Sequence, residues 1–121
     1  MAAGALTSTI GDMMQYALLQ MGEGTGNLAA THKNLAQVNA TSRSYAKMNI
    51  RMDAVGATWI LDTQNGVIWH NGGTGDYNSY LGFDPLRKIA VVILSNLPPN
   101  ERIPATVMGI RLLLDMQESS V

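Results

Sequence analysis

The arrangement in this chain best suited to chemistry is an imidazole followed by glycines: His70-Asn71-Gly72-Gly73-Thr74-Gly75. It is entered from the strand-like run Val67-Ile68-Trp69 and left through Asp76-Tyr77-Asn78-Ser79 into a second strand-like run. Glycine inside a strand pattern marks a place where a ligand or another backbone must come close. A basic side chain beside such a gap suits an anionic or carbonyl-bearing ligand, because it meets negative charge that is present or develops there. An imidazole brings a conditional charge near neutral pH, where a lysine would bring a fixed one. The competing reading is a hydrogen-bonded structural histidine; the position just before the glycines favours function.

Other candidates have plainer readings. Ser44-Tyr45-Ala46-Lys47 matches the pattern Ser-x-x-Lys of some acyl-transfer nucleophiles. With 7 serines and 3 lysines in 121 residues, ~0.17 such matches arise by chance, so the match carries little weight. His32, in Thr31-His32-Lys33, reads as a solvated helix residue, with no second histidine or carboxylate at a metal-ligand spacing. Asp76 reads as a turn aspartate bonding its own backbone. Met13, Met14 and Met21 read as core packing. Trp59 and Trp69 read as anchors of a sheet against a helix.

The order of these pieces resembles the serine β-lactamase and penicillin-binding protein superfamily, in its class C β-lactamase, D-alanyl-D-alanine peptidase and esterase branch. His70-Asn71-Gly72 is similar to that family's third motif, Lys-Thr-Gly or His-x-Gly on an edge strand. Ala3-Gly4-Ala5-Leu6-Thr7-Ser8-Thr9 with Asp12-Met13 resembles the glycine-rich lead into a helix. Gly56-Ala57-Thr58-Trp59 resembles a strand carrying Gly-x-x-Trp. Tyr80 through Pro85, then Ile89-Ala90-Val91-Val92-Ile93-Leu94-Ser95-Asn96, resembles the two closing strands, and the apolar tail from Pro104 to Met116 resembles the C-terminal helix.

The resemblance implies roles. The backbone N–H of Gly73 would be one oxyanion donor and His70 the group that orients or polarises the site; these are the candidate catalytic residues. Gly72 would keep the strand bare so that substrate can lie along it, and Asn71 and Thr74 are the other candidate substrate contacts. The family's nucleophile motif and its Tyr-x-Asn motif lie far upstream and have no convincing counterpart here. Family members are also much longer. The expectation is therefore the C-terminal portion of a serine hydrolase, inactive alone, whose partners are the missing N-terminal portion and a β-lactam, D-Ala-D-Ala peptide or ester substrate. Asp76 stands where the family usually has a small residue, which favours a peptidase, an esterase or a degenerate site over β-lactam turnover. The alternative is a non-catalytic binding or assembly module that keeps the scaffold. The resemblance implies the cell envelope; the residues themselves do not indicate a compartment.

Composition sets outer bounds. A chain of 121 residues with 46% hydrophobic and 14% charged residues is one globular domain or part of one. The net charge of −1 gives no electrostatic footprint for nucleic acid. The absence of cysteine excludes disulfides and Cys-based zinc sites. No run is long enough to cross a bilayer as a helix. Neither a cofactor nor a metal is expected.

The positioning elements follow from periodicity. Ile10, Met13, Met14, Ala17, Leu18 and Met21 share one helical face over 9–21, with Thr9 and Asp12 as a capping box and Gly22 just past the end. A glycine-rich loop occupies 22–27, a weaker helix 28–38, and 39–51 is polar without a clear period. Strands are expected at 56–62, 67–73, 79–84 and 89–94, and a last helix at 102–117 after Pro98-Pro99-Asn100. The expected fold is α+β, an antiparallel sheet of about four strands with N-terminal and C-terminal helices packed on it. It forms a single partial domain over 1–121, helical and looped over 1–54, sheet plus helix over 55–121. The last strand, apolar on both faces, suggests a central position. The resemblance implies that in the intact fold strands from the N-terminal region pair beside this last strand; without them 89–94 presents an open apolar edge, and the chain is expected to cover it by self-association or by swapping an element.

Overall fold

The computed structural model describes residues 6–22, 26–98 and 104–119. The Ala3-Gly4-Ala5 lead, the middle of the glycine loop at 23–25, and the break at Pro99-Asn100 with the helix start at Arg102 lie outside the described residues. The elements run α1 (Ile10–Met21), α2 (Gly26–Ala30), β1 (Ala36–Gln37), α3 (Arg43–Lys47), β2 (Ala54–Val55), β3 (Ile60–Asp62), β4 (Val67–Gly73), β5 (Asn78–Asp84), β6 (Ile89–Ser95) and α4 (Ala105–Ser119).

The architecture is α+β, and among the described residues its antiparallel sheet has six strands where the sequence suggests about four. Their spatial order is their chain order. The two unforeseen strands, β1 and β2, span two residues each, too short to show alternation. Register alone reveals them: Ala36 pairs with Val55 and Ala54 with Leu61.

Pairing to this edge also ends the expected helix at 28–38 early. α2 stops at Ala30, the Thr31 hydroxyl donates back to the Leu28 carbonyl at 2.6 Å, and the Leu35 N–H donates to the Val55 carbonyl at 2.8 Å. Gly56 lies so close to this turn that a Cβ would fall 2.5 Å from the Thr31 carbonyl oxygen. The strand expected from 56 therefore begins at Ile60. Before it the chain makes a tight turn, with the Gly56 N–H on the Trp59 carbonyl at 2.9 Å and Thr58 at φ 69°. α3 lies in the stretch that shows no period; its cap is Ser42, whose hydroxyl accepts from the Tyr45 N–H at 3.1 Å.

Alternation along the central strands sends side chains to two cores. On one face Val67, Trp69, Tyr80, Ile89 and Val91 pack with Ala105, Ile110 and Leu113 of α4. On the other Leu61, Ile68, Leu81 and Phe83 pack with Trp59 and with Ala17 and Met21 of α1. The two tryptophans thus serve opposite faces. Among the described residues β6 is the outermost strand, not a central one; its apolarity on both faces comes from α1 and α4 covering one face each. The α1 stripe is split as well. Ala17, Gln20 and Met21 face the sheet, whereas Ile10, Met14 and Leu18 are exposed, so Met14 is not core.

Polar side chains tie the ends. The Thr9 hydroxyl accepts from the Asp12 N–H at 3.1 Å, and the Lys88 ammonium reaches the Met21 carbonyl at 2.5 Å, placing a cation at the C-terminus of α1. Gly22 follows α1 in an extended conformation, φ −72°, rather than a left-handed one. Gln117 of α4 donates to the Asp84 carboxylate at 2.8 Å. Burial pushes the Asp84 carboxyl up, but the Arg87 N–H and side chain, Gln117 and the Leu86 N–H outweigh it and hold it below the usual carboxylate range.

His32 is not solvated. Its Nε2 lies 2.7 Å from the Gln20 Oε1, and its ring stands edge-on to Phe83 at 5.1 Å and Trp59 at 6.1 Å. Burial lowers its pKa below the usual imidazole value of 6.5. The folded state then binds fewer protons than the unfolded state just below that value, so this contribution is present above about pH 6.5 and lost as pH falls through the lowered pKa. Melting temperature is expected to decline from pH 7 toward pH 5, less steeply in His32→Phe, which keeps the ring contacts without the titration. Equal slopes would sink this account.

Tyr80 is the main polar irregularity. It stacks on Trp69 at 5.9 Å and is 1% exposed, and its hydroxyl has no hydrogen-bond partner among the described residues. Burial, with the Asp62 charge nearby, raises its pKa far above the usual phenol value. Removing a buried unsatisfied hydroxyl relieves a desolvation cost, so Tyr80→Phe is expected to stabilise the fold by about 1 kcal/mol, read from the urea midpoint. A fall in that midpoint would show that the hydroxyl is satisfied in solution.

Candidate functional site

The site begins with a mismatch in strand length. The ladder between β3 and β4 stops at Ile60–Trp69, while that between β4 and β5 continues to Gly73–Asn78. Residues His70 to Gly73 therefore pair with β5 on one side and with no strand among the described residues on the other. Such an edge accepts an extended ligand backbone, as in recognition by strand addition.

Alternation sends His70 and Gly72 to the α1 face and Asn71 and Gly73 to the α4 face. On the α1 face a groove of about 470 Å³ is lined by His70, Ser79, Trp59 and Leu94, by Met13 and Tyr16 of α1, and by Leu6 and Ser8 from the segment leading into that helix. His70 is exposed and its Nδ1 lies 2.6 Å from the Asn71 carbonyl. A carbonyl only accepts, so Nδ1 is the donor in this contact. Gly72 faces Ser79 across the ladder; a Cβ at Gly72 would lie 2.9 Å from the Ser79 hydroxyl.

The other candidates are placed differently. The Asn71 amide donates to the Thr106 hydroxyl at 2.9 Å, toward α4. Thr74 closes the turn: its N–H donates to the Tyr77 carbonyl at 2.8 Å and its hydroxyl accepts from the Tyr77 N–H at 3.2 Å. Asp76 sits exposed in that turn. Gly73 lines a second groove of about 470 Å³ on the α4 face, with Tyr45, Met48, Trp69 and Val107. The structure thus places His70 on one groove and Gly72 and Gly73 on the other, lets Asn71 line both while its amide is tied to Thr106, and ties Thr74 into the turn. Ser44 lies on exposed α3 with its hydroxyl 3.2 Å from that of Ser42, and does not line the His70 groove.

Two positioning residues have no local signature. Buried Asn78 accepts from the Ala105 N–H at 2.6 Å and donates to the Leu97 carbonyl at 2.7 Å, capping α4 from the far end of the site strand's partner. Asn is a cap-type residue, but its helix begins 27 residues later, beyond any sequence window. Ser79 shows its place only through the register with Gly72. Among the described residues no group of three His, Asp or Glu side chains is arranged to hold a metal ion, and no helix is long and apolar enough to cross a membrane.

A protein-family model described as Beta-lactamase matches residues 1–114 of the 121-residue chain. No curated protein matches the sequence.

Proposed function

Because this chain belongs to the beta-lactamase family, we propose that it supplies the substrate-holding strand and one oxyanion-hole amide of a serine hydrolase, and that it carries no nucleophile of its own. The carrying observation is the unpaired edge of His70 to Gly73 beside the His70 groove. In acyl transfer a serine oxygen attacks the substrate carbonyl, the carbonyl electron pair moves onto oxygen, and the leaving group departs as the pair returns; water then repeats the sequence on the acyl-enzyme. An amide at Gly73 donates to the oxygen while it is negative, and His70 holds the substrate's polar end on the other side of Gly72.

The described lining of the His70 groove contains no lysine or arginine. A β-lactam and a D-Ala-D-Ala peptide both present a carboxylate that a fixed cation would meet, so an acyl ester without that carboxylate fits this groove better.

The test uses the chain itself. Nitrocefin should not be hydrolysed, and intact mass after penicillin exposure should be unchanged; a penicilloyl adduct on Ser44 overturns the proposal. Titration with an N-acylated D-alanyl ester should shift the amide resonances of Gly72 and Gly73 and leave Gln64 unmoved. No shift at either glycine would favour a binding or assembly module without the chemistry.

A further inference from the structure

The walls of the His70 groove come from separate elements. Met13 and Tyr16 belong to α1, and Thr58 and Trp59 to the turn that leads into β3. α1 packs over β5 and β6, so these walls stand on either side of β4, the strand that carries His70. Ser79 and Leu81 of β5 line the floor, and Phe83 follows them on the same face of that strand.

His32, which belongs to neither wall, is in contact with both sides. Its Nε2 lies 2.7 Å from the Oε1 of Gln20, a buried residue of α1. An amide oxygen only accepts, so Nε2 is the donor in this contact. Met13, Tyr16 and Gln20 follow one another at helical spacing on one flank of α1, so a grip on Gln20 holds the flank that lines the groove. In the other direction the rings of His32, Trp59 and Phe83 stand edge-on to one another, with centroids 5.1–6.1 Å apart.

Main-chain contacts beside His32 fix the same turn. The Ala57 N–H donates to the Thr31 carbonyl at 3.0 Å, and a Cβ at Gly56 would fall 2.5 Å from that carbonyl oxygen and 3.0 Å from that of Lys33. Thr58 is held at φ 69°, a left-handed conformation that a β-branched residue keeps only where its surroundings impose it.

We infer that His32 is a positioning residue of the His70 groove: it clamps α1 to the turn at 56–59, sets the distance between the groove's walls, and so sets which acyl groups the groove admits. The clamp follows from the contacts of this chain; the choice of acyl group rests on the proposed reading of the groove as the seat of an acyl ester. The clamp holds while the ring is neutral. Gln20 from α1, Phe83 from β5 and Trp59 from the turn, which pack on the ring, carry no titratable group. Lys33 is its chain neighbour, Lys88 sits at the Met21 carbonyl at the end of α1, and no carboxylate pairs with the ring among the described residues. A proton taken up there meets burial without a counter-charge, so the charged ring is drawn toward water and releases both walls.

The N-acetyl and N-benzoyl methyl esters of D-alanine share their polar end and differ in the bulk of the acyl group. The ratio of their affinities for the full chain therefore cancels what His70 contributes and reports the spacing of the walls. Followed by NMR titration, the benzoyl-over-acetyl ratio should fall about tenfold, the scale of one methylene of pocket contact, from about pH 7.5 to about pH 5. His32→Phe keeps a ring without the proton, and its ratio should not change with pH. His32→Ala removes the clamp, and its ratio should be low at both ends, with circular dichroism checking that each variant is folded. A ratio that stays constant in the parent chain, or that falls equally in His32→Phe, overturns the inference. Without ligand, the Met13 methyl and the Thr58 amide should shift with the midpoint of the His32 ring protons and stand still in His32→Phe. Shifts confined to Gln20, Trp59 and Phe83 would be a local charge effect and would overturn it equally. If neither ester binds, the reading of the groove as a substrate seat fails, and the Met13 and Thr58 titration alone decides the clamp.

Discussion

Gly109→Ala is expected to destabilise the fold by about 3 kcal/mol, the upper end of the usual cost of overpacking a core. Helix propensity alone gives the opposite sign, since alanine in a helix interior is better than glycine by about 1 kcal/mol. Packing decides. An added Cβ would fall 2.1 Å from the Tyr80 Cδ1 and 2.5 Å from its Cγ, atoms near the root of a ring rather than at a flexible tip. Nor can the ring retreat, because it lies over Gly82, where a Cβ would fall 2.1 Å from its hydroxyl, and it stacks on Trp69. Tyr80 is thus clasped between a bare strand position and a bare helix position, and α4 approaches the sheet as closely as it does only because both lack a Cβ. The melting temperature should fall by more than about 10 °C. The double variant Tyr80→Leu, Gly109→Ala should lose less than the sum of the two single changes, because the first removes the obstacle to the second. A shift of a degree or two for Gly109→Ala alone would mean that α4 rides farther from the sheet.

That contact also marks the limit of what the sequence discloses. The strands at 67–73, 79–84 and 89–94 are legible to within a residue, because short runs led by apolar and β-forming residues and bounded by Asn65-Gly66, Thr74-Gly75 and Pro85 leave few alternatives. α1 is legible through its Thr9 cap. β1 and β2 are not, since two residues cannot display a period and their place is fixed by pairing with residues up to about twenty positions away. The stripe of α1 misleads because a helix beside an open sheet edge carries two apolar flanks, one for the sheet and one for whatever covers the edge, and their union looks like one broad face. His32 looks solvated because its neighbours Thr31 and Lys33 are polar, while Trp59 and Phe83, which enclose it, lie far along the chain. At the site, the imidazole and the glycines are visible as a string. The unpaired edge, the Ser79 hydroxyl above Gly72 and the Asn78 cap exist only in the register.

Gly72→Val should separate the site from the scaffold. The added Cβ meets one atom at 2.9 Å, the hydroxyl of Ser79, the tip of a small side chain that can rotate away. Valine also suits a strand better than glycine, by up to about 1 kcal/mol, so the melting temperature should stay close to that of the parent chain. The effect on a ligand is different in kind. Valine at 72 would project toward Ser79, which lines the His70 groove, from the strand edge along which an acyl substrate would lie. A substrate lifted from that edge by one side chain loses the donor at Gly73, and loss of one oxyanion donor costs about 3 kcal/mol, or 10²–10³-fold in rate. In this chain the measurable consequence is that the D-alanyl ester no longer shifts the Gly73 amide. In a complete enzyme carrying the same strand, kcat/KM should fall at least about 100-fold. The pair Gly72→Ala, Ser79→Ala tests the assignment from the other side, because it frees the space around the new methyl. If Gly72 matters for packing, that pair restores whatever stability and binding Gly72→Val loses; if it matters because substrate needs a bare strand, stability stays close to the parent's throughout and binding is not restored. A Gly72→Val chain that still binds the ester through Gly73 would place the substrate elsewhere than on this edge.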